Sequence, residues 1–254
     1  MTRAQLTVGV VTPHTAPGPE VELPAMTRDR VATVVSRTGP PPEGPQPGRR
    51  TDPPAHAELL VSTEPDAHER AAVVFRGSTL TAVAHASTTT GYVIGHREEA
   101  ALIGRLSQRF AVVAVASCAA AAAALHKHAI GTVQLVHPPW FDDEFDELGA
   151  AYFRSQDIDV VVTKATGLPS DPAGVTPRRV IDLVEHHVQD RADAVLLAGN
   201  GFRAASSIEE LERRTGRLVL EANQVLLWAI LVETGLGLEV TGYGRLFGAN
   251  PSTP

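Results

Sequence analysis

Residues 80–95 of the chain, LTAVAHASTTTGYVIG, place a short apolar run directly before a cluster of hydroxyl side chains and a glycine. The run Leu80–His85 is typical of a buried strand, and the polar cluster marks the turn into the next helix. Similar apolar runs alternate with stretches of helical period along the chain. This alternation predicts an α/β protein with parallel sheets, in which ligands bind where strands end and helices begin.

Seven apolar runs are predicted as buried strands: Leu6–Val11, Leu80–His85, Val112–Ala116, Thr132–Val136, Val160–Thr163, Ala194–Leu197 and Val219–Leu220. Six other stretches have helical period: Arg97–Arg109, Ala119–Lys127, Asp142–Gln156, Pro177–Gln189, Ser207–Thr215 and Gln224–Glu233. The segment Pro40–Pro54 breaks this order, because seven of its fifteen residues are proline and two are glycine. Neither a helix nor a central strand tolerates that composition, so we expect a long surface loop, either a disordered insertion or a lid over the site.

The composition excludes several kinds of partner and site. With 254 residues, of which 43% are hydrophobic, the chain can bury the core of one large domain or two small ones. A formal net charge of -7, with no basic run longer than two residues, argues against a nucleic-acid partner. The single cysteine, Cys118, excludes an internal disulfide and a cysteine-based zinc site.

The chain is also not expected to enter a membrane or to hold a metal ion. No segment reaches the roughly 18 to 20 apolar residues that span a bilayer. The N-terminal run Leu6–Val11 is short and is stopped by Pro13, unlike a signal peptide. No pair of histidines lies four residues apart among carboxylates at a strand end. We therefore expect a cytoplasmic protein without a metal site.

Four stretches, taken in order, carry a resemblance to a known family: Val8–Pro13, Ala84–Gly95, Ala129–Trp140, and Ala194–Arg203 with its continuation Leu218–Trp228. Together they resemble the maleate isomerase and arylmalonate decarboxylase branch of the aspartate/glutamate racemase superfamily. The resemblance extends over nearly the whole chain, from about Leu6 to Trp228.

The resemblance implies two pseudo-symmetric, Rossmann-like (flavodoxin-like) halves whose parallel sheets face a central cleft. Residues 1–114 would form the first half, with residues 223–254 packing back on it, and residues 115–222 would form the second half. It also implies a small carboxylate substrate, no cofactor, and a homodimer or higher homo-oligomer. Members of this family work on the substrate from two sides, with one cysteine from each half.

Carried over to this chain, the family's first cysteine falls on Ser87 and its second on Gly199. A serine hydroxyl is a far weaker acid than a thiol, and glycine has no side chain. The family's tyrosine after the central strand is replaced by Pro139–Trp140. The chain therefore lacks both catalytic cysteines, and the two-thiol mechanism is not available to it.

Four residues near strand ends are candidate catalytic groups. Ser87 is a possible nucleophile, or it caps a helix. His14, directly after the Pro13 turn, and His85, which has the strand parity of Ser87, are candidate general bases or structural histidines. Cys118 begins a helix, a position that lowers the pKa of a thiol, although a lone cysteine among alanines is commonly a small core residue.

Other residues are expected to bind the substrate. Thr88 and Thr89 either cradle a carboxylate with their hydroxyl and amide groups or cap the helix. Asn200, between two glycines, either belongs to a tight turn or donates to an oxyanion, and Arg203 either clamps a carboxylate or pairs with Glu209 or Glu210. The predicted binding set is Pro13, Thr88, Thr89, Trp140, Gly199, Asn200, Gly201, Phe202 and Arg203.

Three functions remain open from the sequence. The first is an isomerase or lyase, racemase- or decarboxylase-like, that passes through an enediolate-like intermediate without cysteine. The second is a hydrolase or elimination enzyme with Ser87 as nucleophile and a histidine as base. The third is a non-catalytic carboxylate-binding protein.

Overall fold

The computed structural model of the chain describes residues 6–38, 55–164, 168–169 and 174–248. The proline-rich segment Pro40–Pro54 lies outside the described residues, so its interpretation as a surface loop stays a prediction.

Two parallel sheets lie at the centre of the fold. The first contains β1 (Leu6–Thr12), β2 (Val31–Arg37), β3 (Ala82–His85) and β4 (Val113–Ala116), in the order β2-β1-β3-β4. The second contains β5 (Thr132–His137), β6 (Asp159–Lys164), β7 (Ala194–Leu197) and β8 (Leu218–Glu221), in the order β6-β5-β7-β8. All six pairings within these sheets are parallel. The predicted α/β fold of two halves with parallel sheets is confirmed, and each sheet has four strands.

Helices flank both sheets. Those of the first half are α1 (Pro19–Met26), α2 (His56–Val61), α3 (Pro65–Val74) and α4 (Thr88–Phe110). They are followed by α5 (Ser117–Lys127), α6 (Asp143–Arg154), α7 (Pro177–His187), α8 (Ile208–Thr215) and α9 (Ala222–Thr234). Short 3₁₀ turns cover Ala205–Ser207 and Arg245–Phe247.

The local sequence explains where several helices begin and end. Asp142 caps α6 by accepting a hydrogen bond from the Phe145 amide at 2.9 Å. Glu221 and Gln224 form a capping box at the start of α9. Helix α8 ends at Gly216, whose φ of 71° is readily adopted only by glycine.

The sequence-based assignment missed β2 and the three helices α1 to α3. Strand β2 is the edge strand of the first sheet and only two of its seven residues are buried, so it lacks a continuous apolar run. Helix α1 begins with one proline and contains another, Pro24, which argues against a helix in a sequence pattern.

Helix α4 begins nine residues earlier than predicted, at Thr88 instead of Arg97. Its backbone is kinked at Gly95, where φ is 76° and ψ is 166°. The predicted segment corresponds to the part after the kink. The hydroxyl cluster therefore forms the first turn of a helix and is not a loop before it.

The last helix, α9, packs against α1 as well as α5, and it also contacts β3, β4 and β8. Strand β4 spans the predicted boundary between residues 114 and 115. The division into residues 1–114 with 223–254, and 115–222, stays a prediction. None of the helices in the described ranges is both long and apolar enough to cross a membrane.

Candidate active site

The first turn of α4 is organised by the hydroxyl group of Ser87. Ser87 follows β3 in extended conformation, and its Oγ accepts a hydrogen bond from the Thr90 amide at 3.0 Å. The Thr90 hydroxyl donates to the same oxygen at 2.8 Å. Ser87 is thus the N-cap of α4, which was one of the two roles predicted for it from the sequence. Because its oxygen accepts two hydrogen bonds, its own proton is directed elsewhere.

That proton has a nearby acceptor in His14, which stands just beyond the end of β1. His14 Nε2 lies 2.9 Å from Ser87 Oγ and 3.2 Å from Thr89 Oγ1. Burial, together with a smaller contribution from the positive charge of Arg37, lowers the pKa of His14 to about 4. The imidazole is therefore uncharged at neutral pH and can accept the Ser87 proton. Arg37 itself pairs with Glu20.

The junctions predicted to face each other are in direct contact through Asn200. Its Oδ1 accepts hydrogen bonds from the Thr88 amide at 3.2 Å and from the Ser117 hydroxyl at 3.0 Å. Its Nδ2 donates to Asn223 Oδ1 at 2.8 Å. Asn200 was expected to donate to a substrate oxyanion, but in this structure its side chain joins the two halves. A substrate lying between Thr88 and Asn200 would have to separate them.

Two groups at the start of α4 remain suited to hold an anion. The hydroxyl of Thr88 is buried, and its oxygen has no hydrogen-bond partner among the described residues. The amide of Thr89 is at the second position of the helix, where no intrahelical acceptor exists. Both donors lie at the positive end of the helix dipole, which favours a carboxylate.

His85 is not part of this arrangement. Its side chain is completely buried, and neither ring nitrogen has a hydrogen-bond partner in the described part of the chain. Burial, with smaller contributions from His68 and His14, lowers its pKa to about 3. The candidate general base nearest to Ser87 is therefore His14, and His85 makes no hydrogen bond with Ser87.

Cys118 lies at the start of α5, as predicted, but its surroundings oppose ionisation. The residue is fully buried, and Sγ contacts the Thr88 carbonyl oxygen at 3.4 Å. Burial raises the pKa of the thiol well above its ordinary value, and the charge of Glu99 raises it further. The lowering expected from a helix N-terminus is outweighed, which disfavours a catalytic thiolate.

The turn after β7 has a backbone that a side chain would disturb. Gly199 has φ of 99°, and a Cβ atom there would lie 3.1 Å from Pro138 Cγ. A Cβ on Gly18 would lie 2.0 Å from the Asn200 carbonyl oxygen, so the loop from Pro13 to Gly18 packs tightly onto this turn. In this backbone, a cysteine at position 199 would be strained.

The remaining predicted binding residues line this region mainly with apolar surface. Pro13 and Phe202 are buried, and Trp140 packs edge-on against Phe202 with ring centroids 6.0 Å apart. Arg203 has φ of 53°, and its charge acts on the buried carboxylate of Glu22. Gly201 lies beside Ala16.

A second hydrogen-bonded set was not identified from the sequence. Asp146 Oδ1 lies 2.7 Å from His137 Nδ1, and His137 Nε2 lies 3.2 Å from the Tyr92 hydroxyl. Burial raises the pKa of Tyr92 well above 10, so it stays protonated. The available signal was His137 itself, which directly follows the predicted strand Thr132–Val136, much as His14 follows the predicted strand Leu6–Val11.

Two buried carboxyl groups also lie next to Asn200 and were missed. Asn223 Nδ2 donates to Glu22 Oε2 at 2.6 Å and to the Asn200 carbonyl at 2.9 Å. Glu221 accepts the amides of Asn223 and Gln224. Burial raises the pKa of both Glu22 and Glu221, and for Glu221 the nearby Glu22 adds to the effect. This network connects α1 to the start of α9 behind the Asn200 turn.

Solved structures share this fold over nearly the whole chain. Unliganded arylmalonate decarboxylase is 20% identical, with a TM-score of 0.76, over 95% of this chain and 98% of that one. The maleate isomerase Iso from Pseudomonas putida S16 is 19% identical, with a TM-score of 0.80, over 95% and 98%. A mutant of Nocardia farcinica maleate cis-trans isomerase with a covalently bound succinylcysteine intermediate is 18% identical, with a TM-score of 0.76, over 95% and 98%. The fold is therefore the one shared by these structures of arylmalonate decarboxylase and maleate isomerases.

The family itself follows from the sequence profile of arylmalonate decarboxylase, which matches residues 64–247. This chain belongs to the arylmalonate decarboxylase family, and the resemblance found in its four motifs is confirmed. No curated protein sequence matches the chain.

Proposed function

We propose that this protein is a cofactor-independent isomerase or lyase that acts on a small mono- or dicarboxylate and uses Ser87 and His14 in place of cysteines. The observation that carries the proposal is the distance of 2.9 Å between His14 Nε2 and Ser87 Oγ at the start of α4. Membership of the arylmalonate decarboxylase family supports the reaction class, and the names of its structural neighbours, arylmalonate and maleate enzymes, support a carboxylate substrate.

In the Ser87–His14 pair, the histidine is the base that a serine needs to become a nucleophile. A serine hydroxyl ionises far less readily than a thiol and needs an adjacent base. In an isomerisation, Ser87 Oγ forms a bond to one alkene carbon while its proton passes to His14 Nε2. The alkene electron pair moves toward the neighbouring carboxylate, which becomes an enediolate. After rotation about the new single bond, the electron pair returns, the bond to Oγ breaks, and His14 gives the proton back.

The negative charge of such an intermediate would develop near the start of α4. The Thr89 amide and the buried Thr88 hydroxyl are oriented donors there, and preorganised donors of this kind are a major source of catalysis. The positive charge of Arg37, which already acts on His14, lies on the same edge of the first sheet. These groups would serve a decarboxylation equally, because loss of carbon dioxide from a malonate also leaves an enediolate.

A hydrolase is the alternative that the Ser87–His14 pair also permits. Hydrolase triads place a carboxylate on the second histidine nitrogen. No such partner of His14 Nδ1 is found among the described residues, which favours the isomerase or lyase. We also place the protein in the cytoplasm as a homodimer or higher homo-oligomer, in keeping with its composition and family.

The test is turnover of phenylmalonate and of maleate, followed by proton NMR, for the wild type and three variants. Removing the Ser87 hydroxyl in Ser87→Ala, or the base in His14→Asn, should lower kcat roughly a hundredfold or more, the range of a lost acid–base group. The exposed Ser206→Ala serves as the control and should retain wild-type kcat. Malonate binding without turnover of either acid by the wild type would support a non-catalytic carboxylate-binding protein instead.

Ser87→Ala also removes the N-cap of α4 and should cost about 1 kcal/mol of stability. Urea unfolding of each variant separates that loss from an effect on the reaction. His14→Asn leaves the cap intact, so a folded His14→Asn protein with full activity would contradict the proposed pair.

A further inference from the structure

The side chains of Asp146, His137 and Tyr92 form a continuous hydrogen-bonded series that ends at the interface between the two halves. Asp146 Oδ1 and His137 Nδ1 are 2.7 Å apart, and His137 Nε2 and the Tyr92 oxygen are 3.2 Å apart. His137 is completely buried, Tyr92 is 3% exposed, and the Asp146 side chain is 13% exposed. A carboxylate on Nδ1 fixes the imidazole with its unprotonated Nε2 toward the tyrosine, so the Tyr92 hydroxyl donates to His137.

The position of Tyr92 on α4 brings this series toward the predicted cleft. Tyr92 lies four residues after Thr88, so the two side chains share one face of the helix. The Thr88 amide contacts Asn200, and the Tyr92 hydroxyl contacts His137. Both partners belong to the second half. This face of α4 therefore lies along the carboxyl edge of the second sheet.

On that edge, the end of β5 lies beside the position where the family's second cysteine falls. Val136 of β5 pairs with Leu197 of β7, so the residues that follow, His137 and Ala198, are neighbours, and Gly199 is next. The Pro138 ring is the closest contact of a Cβ atom placed on Gly199. The chain thus has no side chain at position 199, and the ionisable His137 is one residue before the proline that contacts this position.

We propose that Tyr92, held by His137 and Asp146, exchanges a proton with the substrate on the second-half side of the cleft, opposite Ser87 and His14. The inference rests on the proposed function and adds its second proton-handling group. Within the described residues the Tyr92 oxygen is bonded only to His137, which leaves a lone pair for a substrate proton. His137 and Asp146 act through Tyr92 and are positioning residues.

The proton transfer balances in both directions. When a substrate C–H bond breaks, its proton goes to the Tyr92 oxygen and its electron pair stays on the substrate as an enediolate. The Tyr92 hydroxyl proton passes at the same time to His137 Nε2, and the resulting imidazolium is stabilised by the Asp146 carboxylate. In a decarboxylation, the electron pair left on carbon takes the Tyr92 hydroxyl proton, and the Tyr92 oxygen takes the Nε2 proton of a protonated His137. His137 then regains its proton from solvent past the partly exposed Asp146. No tyrosinate accumulates, which agrees with the buried setting of the phenol.

The experiment compares wild type, Tyr92→Phe and Asp146→Asn in two assays with phenylmalonate and malonate as probes. Turnover of phenylmalonate gives kcat and KM, and exchange of the malonate methylene protons in deuterium oxide reports C–H cleavage. Tyr152→Phe is the matched control, because it removes another buried tyrosine hydroxyl from the same aromatic cluster. Tyr92→Phe should lower kcat and the exchange rate at least a hundredfold with KM within threefold, and Asp146→Asn should lower both at least tenfold.

Three results would overturn the inference, and they are distinguishable. Wild-type rates in a folded Tyr92→Phe protein, with Ser87→Ala inactive, would remove Tyr92 from the reaction and leave the proposed function standing. A wild-type protein that neither turns over phenylmalonate nor exchanges malonate protons would refute the proposed function and this role together. Equal losses of kcat in Tyr92→Phe and Tyr152→Phe would assign the effect to packing of the cluster, which also contradicts the proposal.

Discussion

Thr88, the first residue of α4, carries a buried hydroxyl group with no hydrogen-bond partner among the described residues. If this hydroxyl binds a substrate carboxylate, Thr88→Val should weaken malonate binding roughly five- to a hundredfold, since a lost hydrogen bond costs about 1 kcal/mol, and up to about 3 when the partner is charged. Folding stability should stay equal or rise, because valine removes an unpaired polar group. Calorimetry and urea unfolding measure the two effects. Ser206→Ala should bind malonate like wild type; equal affinity in Thr88→Val would contradict the contact.

At the residue scale, the sequence identified the first junction better than the second. Ser87, Thr88 and Thr89 could be predicted because three hydroxyl residues follow one buried strand, and His14 because it follows another. The sequence could not show whether His14 or His85 contacts Ser87, because that depends on the face of the sheet to which each side chain points. The Tyr92–His137 contact could not be predicted from the sequence, because the two residues are 45 positions apart.

At the scale of elements, the packing of α4 on α5 decides the behaviour of the only cysteine in the sequence. A Cβ atom on Gly91 of α4 would lie 2.7 Å from Cys118 Sγ, so the two helices meet closely and exclude solvent from the thiol.

Strong strand and helix patterns were predicted correctly throughout the second half. Strand β2 was missed because an edge strand needs fewer apolar residues than a central one.

This packing predicts that iodoacetamide modifies native Cys118 slowly. Because the thiol is buried and its pKa is raised, alkylation at pH 8 should be at least about tenfold slower in the folded protein than in urea. Mass spectrometry follows the rate, and Cys118→Ser should keep its turnover of phenylmalonate. Rapid alkylation that abolishes turnover, together with a folded but inactive Cys118→Ser protein, would show that the lone thiol is catalytic.

At the scale of the whole molecule, the two halves are joined through buried polar groups as well as apolar contacts. Glu99 of α4 accepts a hydrogen bond from the Tyr152 hydroxyl of α6, and Asn200 connects the second half to Thr88. The strand–helix alternation predicted an α/β protein with parallel sheets, and the family resemblance implied two facing halves. It could not predict which charged residues become buried between them, because Glu99 stands in a helix whose neighbours Glu98 and Ala100 are exposed.

Burial raises the pKa of Glu99 from an ordinary value of 4.5 to about 7, so ionisation of this single group should make the stability of the whole molecule depend on pH. Below pH 4.5 both folded and unfolded chains hold the proton, and this contribution to stability is fully present. Between pH 4.5 and 7 only the folded state keeps the proton, so stability falls, by about 3 kcal/mol in all at roughly 1.4 kcal/mol per unit of pKa shift. Glu99→Gln keeps an acceptor for Tyr152 but cannot ionise. Urea unfolding should therefore show the variant gaining on wild type by that amount between pH 4 and 8, whereas the exposed Glu98→Gln should follow wild type. Parallel pH curves for wild type and Glu99→Gln would mean that Glu99 ionises equally easily in both states.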